Sequence, residues 1–224
     1  MLPWSEIDSV FLDMDGTLLD LHFDNHFWQE HVPKRYAEQH QLPLEQAKQQ
    51  LYPRFQAIEG SMQWYCVDFW SQELKLDIAQ LKAEISHLIA LRPAVMAVLA
   101  ELQQNSKRIV LVTNAHSKSI DLKLDKIPLT PHLERIVCAH DLGIPKEHPQ
   151  FWLQLQTIEP FDPAKTLLID DSLSVLRSAQ AFGIRHLLCV DNPDSQRPPR
   201  NITEFPTLHH FQQLLPIIPP PLPV

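Results

Sequence analysis

Five short apolar runs, each stopping at a polar cluster, limit what this chain can fold into more than any other feature. They are Val10-Phe11-Leu12, Ile109-Val110-Leu111-Val112, Ile136-Val137-Cys138, Leu167-Leu168-Ile169 and His186-Leu187-Leu188-Cys189-Val190. Runs this short, rich in β-branched residues and apolar at almost every position, read as strands buried on both faces. Helical stretches lie between them. Pro93 opens one carrying Val95, Val98, Leu99 and Leu102, and Pro149 opens another with Phe151, Trp152 and Leu155. Ser172 can cap a third, with Leu173, Leu176, Ala179 and Phe182, that stops at Gly183. The expected fold is α/β: a Rossmann-like, doubly wound parallel sheet.

One stretch breaks the alternation. From 18 to 92 there is no strand pattern, and the segment is far too long for an ordinary loop. Its periodicity is helical: Phe27, Val32 and Tyr36; Pro43 through Ala57, with Pro53 as an expected kink; Tyr65, Phe69 and Leu74; then Ile78, Leu81, Ile85 and Leu88. The expected organisation is a core of 1–17 and 93–218, an inserted all-helical cap of 18–92, and a proline-rich tail of 219–224. A last helix is expected over Leu208 to Leu215.

Composition removes several classes of function. A net charge of −8 argues against a nucleic-acid polymer as partner, because a polyanion needs a basic surface. No window is apolar enough for a membrane span and no signal peptide is visible, so a cytoplasmic protein is expected. Cys66, Cys138 and Cys189 are far apart and form no CxxC pair, which favours buried reduced thiols over disulfides or zinc. The twelve histidines show no metal-ligand spacing.

In an open parallel sheet, ligands bind beyond the carboxyl ends of the strands. The first run delivers Asp13 and Asp15 there, the second Thr113 and Asn114, and the fourth Asp170 and Asp171, while Lys146 follows the third after a loop. Carboxylates crowded together repel, and burial worsens the repulsion. A hard divalent cation resolves it, and Mg²⁺ binds through a few carboxylates plus phosphate oxygens. Taken singly, each motif could be a turn, a helix cap or a surface lysine; their shared position and order favour a catalytic site.

Asp13-Met14-Asp15-Gly16-Thr17-Leu18, Leu111-Val112-Thr113-Asn114, Lys146 and Ile169-Asp170-Asp171-Ser172 resemble the four ordered motifs of the haloacid dehalogenase-like hydrolases. The insertion resembles that superfamily's helical C1 cap. The segments 19–28, Trp64-Tyr65-Cys66-Val67-Asp68, 143–147 and 190–195 are similar to its GMP/IMP nucleotidase branch. The resemblance implies an aspartyl-phosphate mechanism, with Asp13 as nucleophile and Asp15 as acid and then base. It implies Mg²⁺ held by Asp13, the Asp15 carbonyl and Asp171, with Asp170 as ligand or close behind. Thr113, Asn114 and Lys146 would bind the phosphoryl group. The implied substrate is a purine 5′-monophosphate, GMP or IMP.

Ten of the eighteen aromatic residues lie between 18 and 92. Most must form that segment's core, but Trp28, Trp64 and Tyr65, with His22, Asp24 and Asn25, are candidates to face a purine. Alternatives with the same chemistry are a phosphatase of phosphoglycolate or a sugar phosphate, a phosphomutase, or, less well matched, a dehalogenase. A phosphorylation-sensing receiver also gathers acids, a hydroxyl and a lysine, but in a different order and without a large insertion.

Overall fold

The computed structural model describes residues 2–217. The expected tail at 219–224 lies outside the described residues. Six parallel strands form one sheet: β1 Ser9–Leu12, β2 Arg108–Thr113, β3 Arg135–Cys138, β4 Thr166–Asp170, β5 His186–Val190 and β6 Thr207–Leu208. Their spatial order is β3-β2-β1-β4-β5-β6. All five expected runs are strands. The chain builds outward from β1 in one direction and then the other, so the topological switch lies between β1 and β4.

Alternation along the strands feeds two cores. Val10 and Leu12 face a cluster with Val95, Val98, Leu99 and Leu102 of the helix Val95–Gln104. Phe11 faces the opposite cluster, with Phe151, Trp152 and Leu155 of Pro149–Ile158 and with Val175, Leu176 and Ala179 of Leu173–Phe182. The signals at the ends of this last helix hold. Ser172 caps it through the Val175 N–H, and Gly183 takes the left-handed conformation at φ +112°. The C-terminus differs from expectation. Leu208 is in the short edge strand β6, and only Phe211–Leu214 is helical, as one 3₁₀ turn. Pairing of Val190 with Leu208 claims residues that the apolar pattern alone assigns to a helix.

No strand interrupts the segment between His22 and Leu88. Its helices enclose a third cluster, including Phe27, Leu51, Phe55, Trp70 and Leu81. Helix Leu44–Ala57 runs through Pro53 as one element. A longer helical run from His22 to His40 contains one wide π turn, Phe27–His31. Proline has no N–H to donate, so Pro33 cannot bond the Gln29 carbonyl four residues back. The Tyr52 hydroxyl donates to that carbonyl instead, at 2.9 Å. The chain enters and leaves the insertion at one place. Leu19 bridges Leu91, the Arg92 N–H donates to the Leu18 carbonyl at 3.0 Å, and the Asp20 N–H donates to Ala90 at 2.9 Å. No described helix is long and apolar enough to cross a membrane.

Candidate active site

Register brings the acidic residues together. Leu12 pairs with Ile169 and with Leu111, so Asp13 and Asp170 emerge side by side at the switch point, with Thr113 one residue further along its strand. Carboxylate oxygens of Asp13, Asp170 and Asp171 all lie within 4.8 Å of one another. Lys146 is 2% exposed; its Nζ donates to Asp13 Oδ1 at 2.5 Å, Asp170 Oδ2 at 2.7 Å and the Val112 carbonyl at 3.0 Å. The second oxygen of Asp170 accepts the Ser172 N–H at 2.8 Å. Both Asp170 oxygens are therefore engaged.

The glycine of the first motif is a steric necessity. Gly16 has φ +84°, and a Cβ there would stand 2.8 Å from Asp171 Cγ and 3.0 Å from Pro193 Cβ. Any side chain would push the first turn away from Asp171.

Burial, the largest influence, raises the Asp13 carboxyl to about 7, against the pull of Lys146 and with help from Asp170. Burial likewise raises Asp170, with Lys146 opposing. Asp171 is pushed well up by burial and by its neighbours Asp170 and Asp13. This donor set fits a hard divalent cation: buried carboxylates within reach of one another, held at a cost that a positive charge removes.

Asp15 is tied to the insertion. Its Oδ1 lies 2.7 Å from Lys123 Nζ, which also reaches Asp24 Oδ2 at 2.6 Å. The other Asp24 oxygen accepts from Lys82 at 2.8 Å. Burial raises Asp15 to about 6, with Lys123 opposing and Asp24 and Asp13 adding to the rise. Burial also presses Asp24 upward, but Lys123 and Lys82 together hold its carboxyl below its ordinary range. Lys82 Nζ stands 4.6 Å from the Phe27 ring centre, over its face.

Above the carboxylates opens a cavity of about 600 Å³. Asp13, Asp15, Thr113, Lys146, Asp170 and Asp171 line its floor, and Trp28, Phe55, Trp64 and Tyr65 line its upper wall. Trp28 and Trp64 stack with centroids 5.9 Å apart and an interplanar angle of 28°. Tyr65 donates its hydroxyl to Glu147 at 2.5 Å, and Asn114 Nδ2 donates to the other Glu147 oxygen at 2.9 Å. Asn114 Oδ1 accepts the Lys146 N–H at 2.9 Å. The Asn114 side chain thus positions the Lys146 loop. The Thr113 hydroxyl accepts the Ala115 N–H at 3.0 Å.

A family model for haloacid dehalogenase-like hydrolases matches residues 7–183. The chain belongs to that family. The GMP/IMP nucleotidase YrfG of Escherichia coli is 35% identical over 215 residues, covering 96% of this chain and 97% of that protein. The same alignment holds for the Shigella flexneri protein of that name. Among solved structures, a haloacid dehalogenase phosphatase from Thermococcus onnurineus has a TM-score of 0.76 at 17% identity, covering 93% of this chain and 96% of that one. The Bacillus subtilis hydrolase YfnB, solved with magnesium, has a TM-score of 0.62 at 22% identity, covering 93% and 96%. This hydrolase is a phosphatase.

Of the candidates read from sequence, the phosphatase fold gathers Asp13, Asp15, Thr113, Asn114, Lys146, Asp170 and Asp171 at one end of the cavity, with Asp24, Asn25, Trp28, Trp64 and Tyr65 also on its walls. His22 is the exception. It lies outside the lining, with Nδ1 3.6 Å from Asp194, whose other oxygen accepts from Asn25 at 2.7 Å. Sequence reasoning missed Lys123, Lys82 and Glu147. A signal existed for the first two: each lysine lies on the buried stripe of its helix, Lys123 beside Ile120 and Lys82 beside Ile78 and Leu81. A lysine at a core position asks for a buried acid.

Proposed function

We propose that this protein is an Mg²⁺-dependent 5′-nucleotidase that hydrolyses purine nucleoside monophosphates, GMP and IMP first. The observation that carries this reading is the single cavity joining a carboxylate and lysine floor to a stacked tryptophan pair. A phosphate at the floor leaves the far end to a flat, apolar group, and a purine is the nucleotide part of that shape. The likeness to a GMP/IMP nucleotidase over almost the full chain supports it. Phosphoglycolate or a sugar phosphate would leave the aromatic end unfilled, so those alternatives account for less of the site.

Each residue then has a role. Lys146 holds one oxygen of Asp13, leaving the other to attack phosphorus and form the aspartyl-phosphate. Asp15, raised to about 6, protonates the leaving 5′ oxygen and afterwards takes a proton from the attacking water. Lys146 also balances charge on the transferring oxygens, with Thr113 and nearby backbone N–H groups as donors. Asp13, the Asp15 carbonyl and Asp171 would hold Mg²⁺, with Asp170 as a further ligand or close behind, where it also fixes Lys146 and the start of the next helix. Bound there, Mg²⁺ would neutralise the crowded carboxylates and draw the phosphate's negative charge into the site.

Residues 18–92 would act as the cap, supplying the base-facing wall through Trp28, Trp64 and Tyr65, with Asp24 and Asn25 as polar partners near the sugar. His22 acts through Asp194. We also assign the protein to the cytoplasm, where three free thiols persist.

Comparing kcat/KM over nucleoside monophosphates, phosphoglycolate and hexose phosphates tests the reading. Purine monophosphates should lead the series; preference for a sugar phosphate would sink the purine assignment.

A further inference from the structure

Beside the catalytic floor, three side chains distant in sequence meet where the insertion touches the loops of the sheet. Cys66 links the helices Met62–Tyr65 and Val67–Leu74 of the insertion. His116 caps Ser117–Lys126 after β2, and His140 sits in the short helix Ala139–Leu142 after β3. One ligand atom from each lies within 4.8 Å of the other two. The imidazoles meet edge to face, with ring centres 4.9 Å apart.

Packing leaves two features of this cluster unexplained. His140 Nε2 is buried without a hydrogen-bond partner, a costly state for a polar atom. Cys66 is an N-cap, its Sγ accepting the Phe69 N–H at 3.3 Å, although a thiol accepts weakly and serine caps better. A metal ion between the three side chains accounts for both.

We propose that Cys66, His116 and His140 form a zinc site that clamps the helical insertion onto the sheet. A thiolate with two imidazoles is a donor set for Zn²⁺ and a poor one for Mg²⁺. Burial, foremost, lowers the pKa of both rings, which favours the neutral form that offers a lone pair. Donors around tetrahedral zinc stand about 3.5 Å apart, so small side-chain rotations close the cluster. Zinc binding would release the Cys66 thiol proton to solvent. His116 Nδ1 accepts the Lys118 N–H at 3.3 Å, which leaves Nε2 as the donor to the metal, and Asp68, with Oδ2 3.7 Å from that atom, is placed to complete the coordination. One ligand comes from the insertion and two from the sheet. Bound zinc would therefore slow any step in which the two separate, without competing for the carboxylates.

Co²⁺ serves as the optical probe. Metal-stripped protein should develop a thiolate-to-cobalt charge-transfer band with stoichiometric Co²⁺. Cys66→Ser keeps the helix cap and should lose the band, and His140→Gln should weaken Co²⁺ binding by about tenfold or more. In saturating Mg²⁺, Zn²⁺ should slow hydrolysis of p-nitrophenyl phosphate by the wild type. Cys66→Ser should need at least about tenfold more Zn²⁺ for the same loss. Absence of the band in the wild type, or equal zinc sensitivity of the two proteins, overturns the proposal.

Discussion

The floor and the upper wall of the same cavity are built on opposite plans. Every floor residue but Lys146, which follows a short helix and loop after β3, leaves the end of a strand or the turn just after it. The register of neighbouring strands brings Asp13 beside Asp170, with Thr113 one residue further on. The upper wall hangs on helices with a core of their own, and its aromatics serve both that core and the cavity. Trp28 touches Phe27, Phe55, Trp64 and Trp70 while also lining the open space. On the proposed function, the floor is specialised for one chemistry, while the wall would divide its side chains between stability and selectivity. Substitutions should separate the two.

Asp13→Asn should give the largest effect, lowering kcat by at least about three orders of magnitude on every phosphate ester while leaving the fold intact. Substantial residual turnover would remove Asp13 from the nucleophile role. Asp15→Asn should follow, with kcat down by about 10²–10⁴-fold. Near-normal turnover in that variant would end the acid–base assignment.

Lys123→Met probes the tie between the two regions. It leaves Asp15 and Asp24 buried without their shared cation, a loss of about 3–5 kcal/mol by analogy with other broken buried pairs. Urea unfolding would measure it, and an unchanged midpoint would show that the two acids need no shared partner. Trp64→Leu should be milder and selective. It should lower kcat/KM for GMP by about tenfold and for p-nitrophenyl phosphate by no more than about twofold. Equal losses on both substrates would place Trp64 in the wall's core alone.

The smallest effect should be on stability in metal-free protein. Asp13, Asp15, Asp170 and Asp171 all have folded-state pKa values above those of the unfolded chain. At intermediate pH the folded state then binds more protons, so these groups favour folding in acid and lose that contribution as pH rises through about 6–7. The Tm of stripped protein should drop by a few degrees between about pH 5 and about pH 8, and Mg²⁺ should restore more at the upper end. A Tm that rises over this window would contradict the crowded-carboxylate picture.

The contrast between floor and wall also explains what could be read in advance. Short apolar runs bounded by polar residues mark buried strands, and parallel strands point all their carboxyl ends one way. Asp13, Asp15, Thr113, Lys146 and Asp170-Asp171 are therefore legible as one site from their order and their shared position at strand ends. Helical periodicity offers no comparable pointer. It marks the buried stripe of each helix, but not which aromatic at its margin borders a cavity, so His22 and Trp28 looked equivalent although only Trp28 lines the space. Lys123 and Lys82 escaped because a lysine is read as exposed, and their partner Asp24 is 99 and 58 residues away. Cys66, His116 and His140 escaped for the same reason: their spacing carries no metal signature, and only tertiary contact brings them together. The edge strand at Thr207–Leu208 is too short for a periodic pattern to register.

The paired backbone at Leu19 and Leu91 carries one more consequence. A chain that departs and returns at adjacent positions makes one covalent junction of the whole insertion, and its other ties to the sheet's loops, such as Asp24 to Lys123 and Tyr65 to Glu147, are made by side chains. The sheet closes its own hydrogen bonds whatever length of polypeptide hangs there. Replacing the insertion at these two points would leave the sheet's backbone pairing intact, but a replacement would have to supply its own acid for Lys123, because Asp24 shares that cation with Asp15.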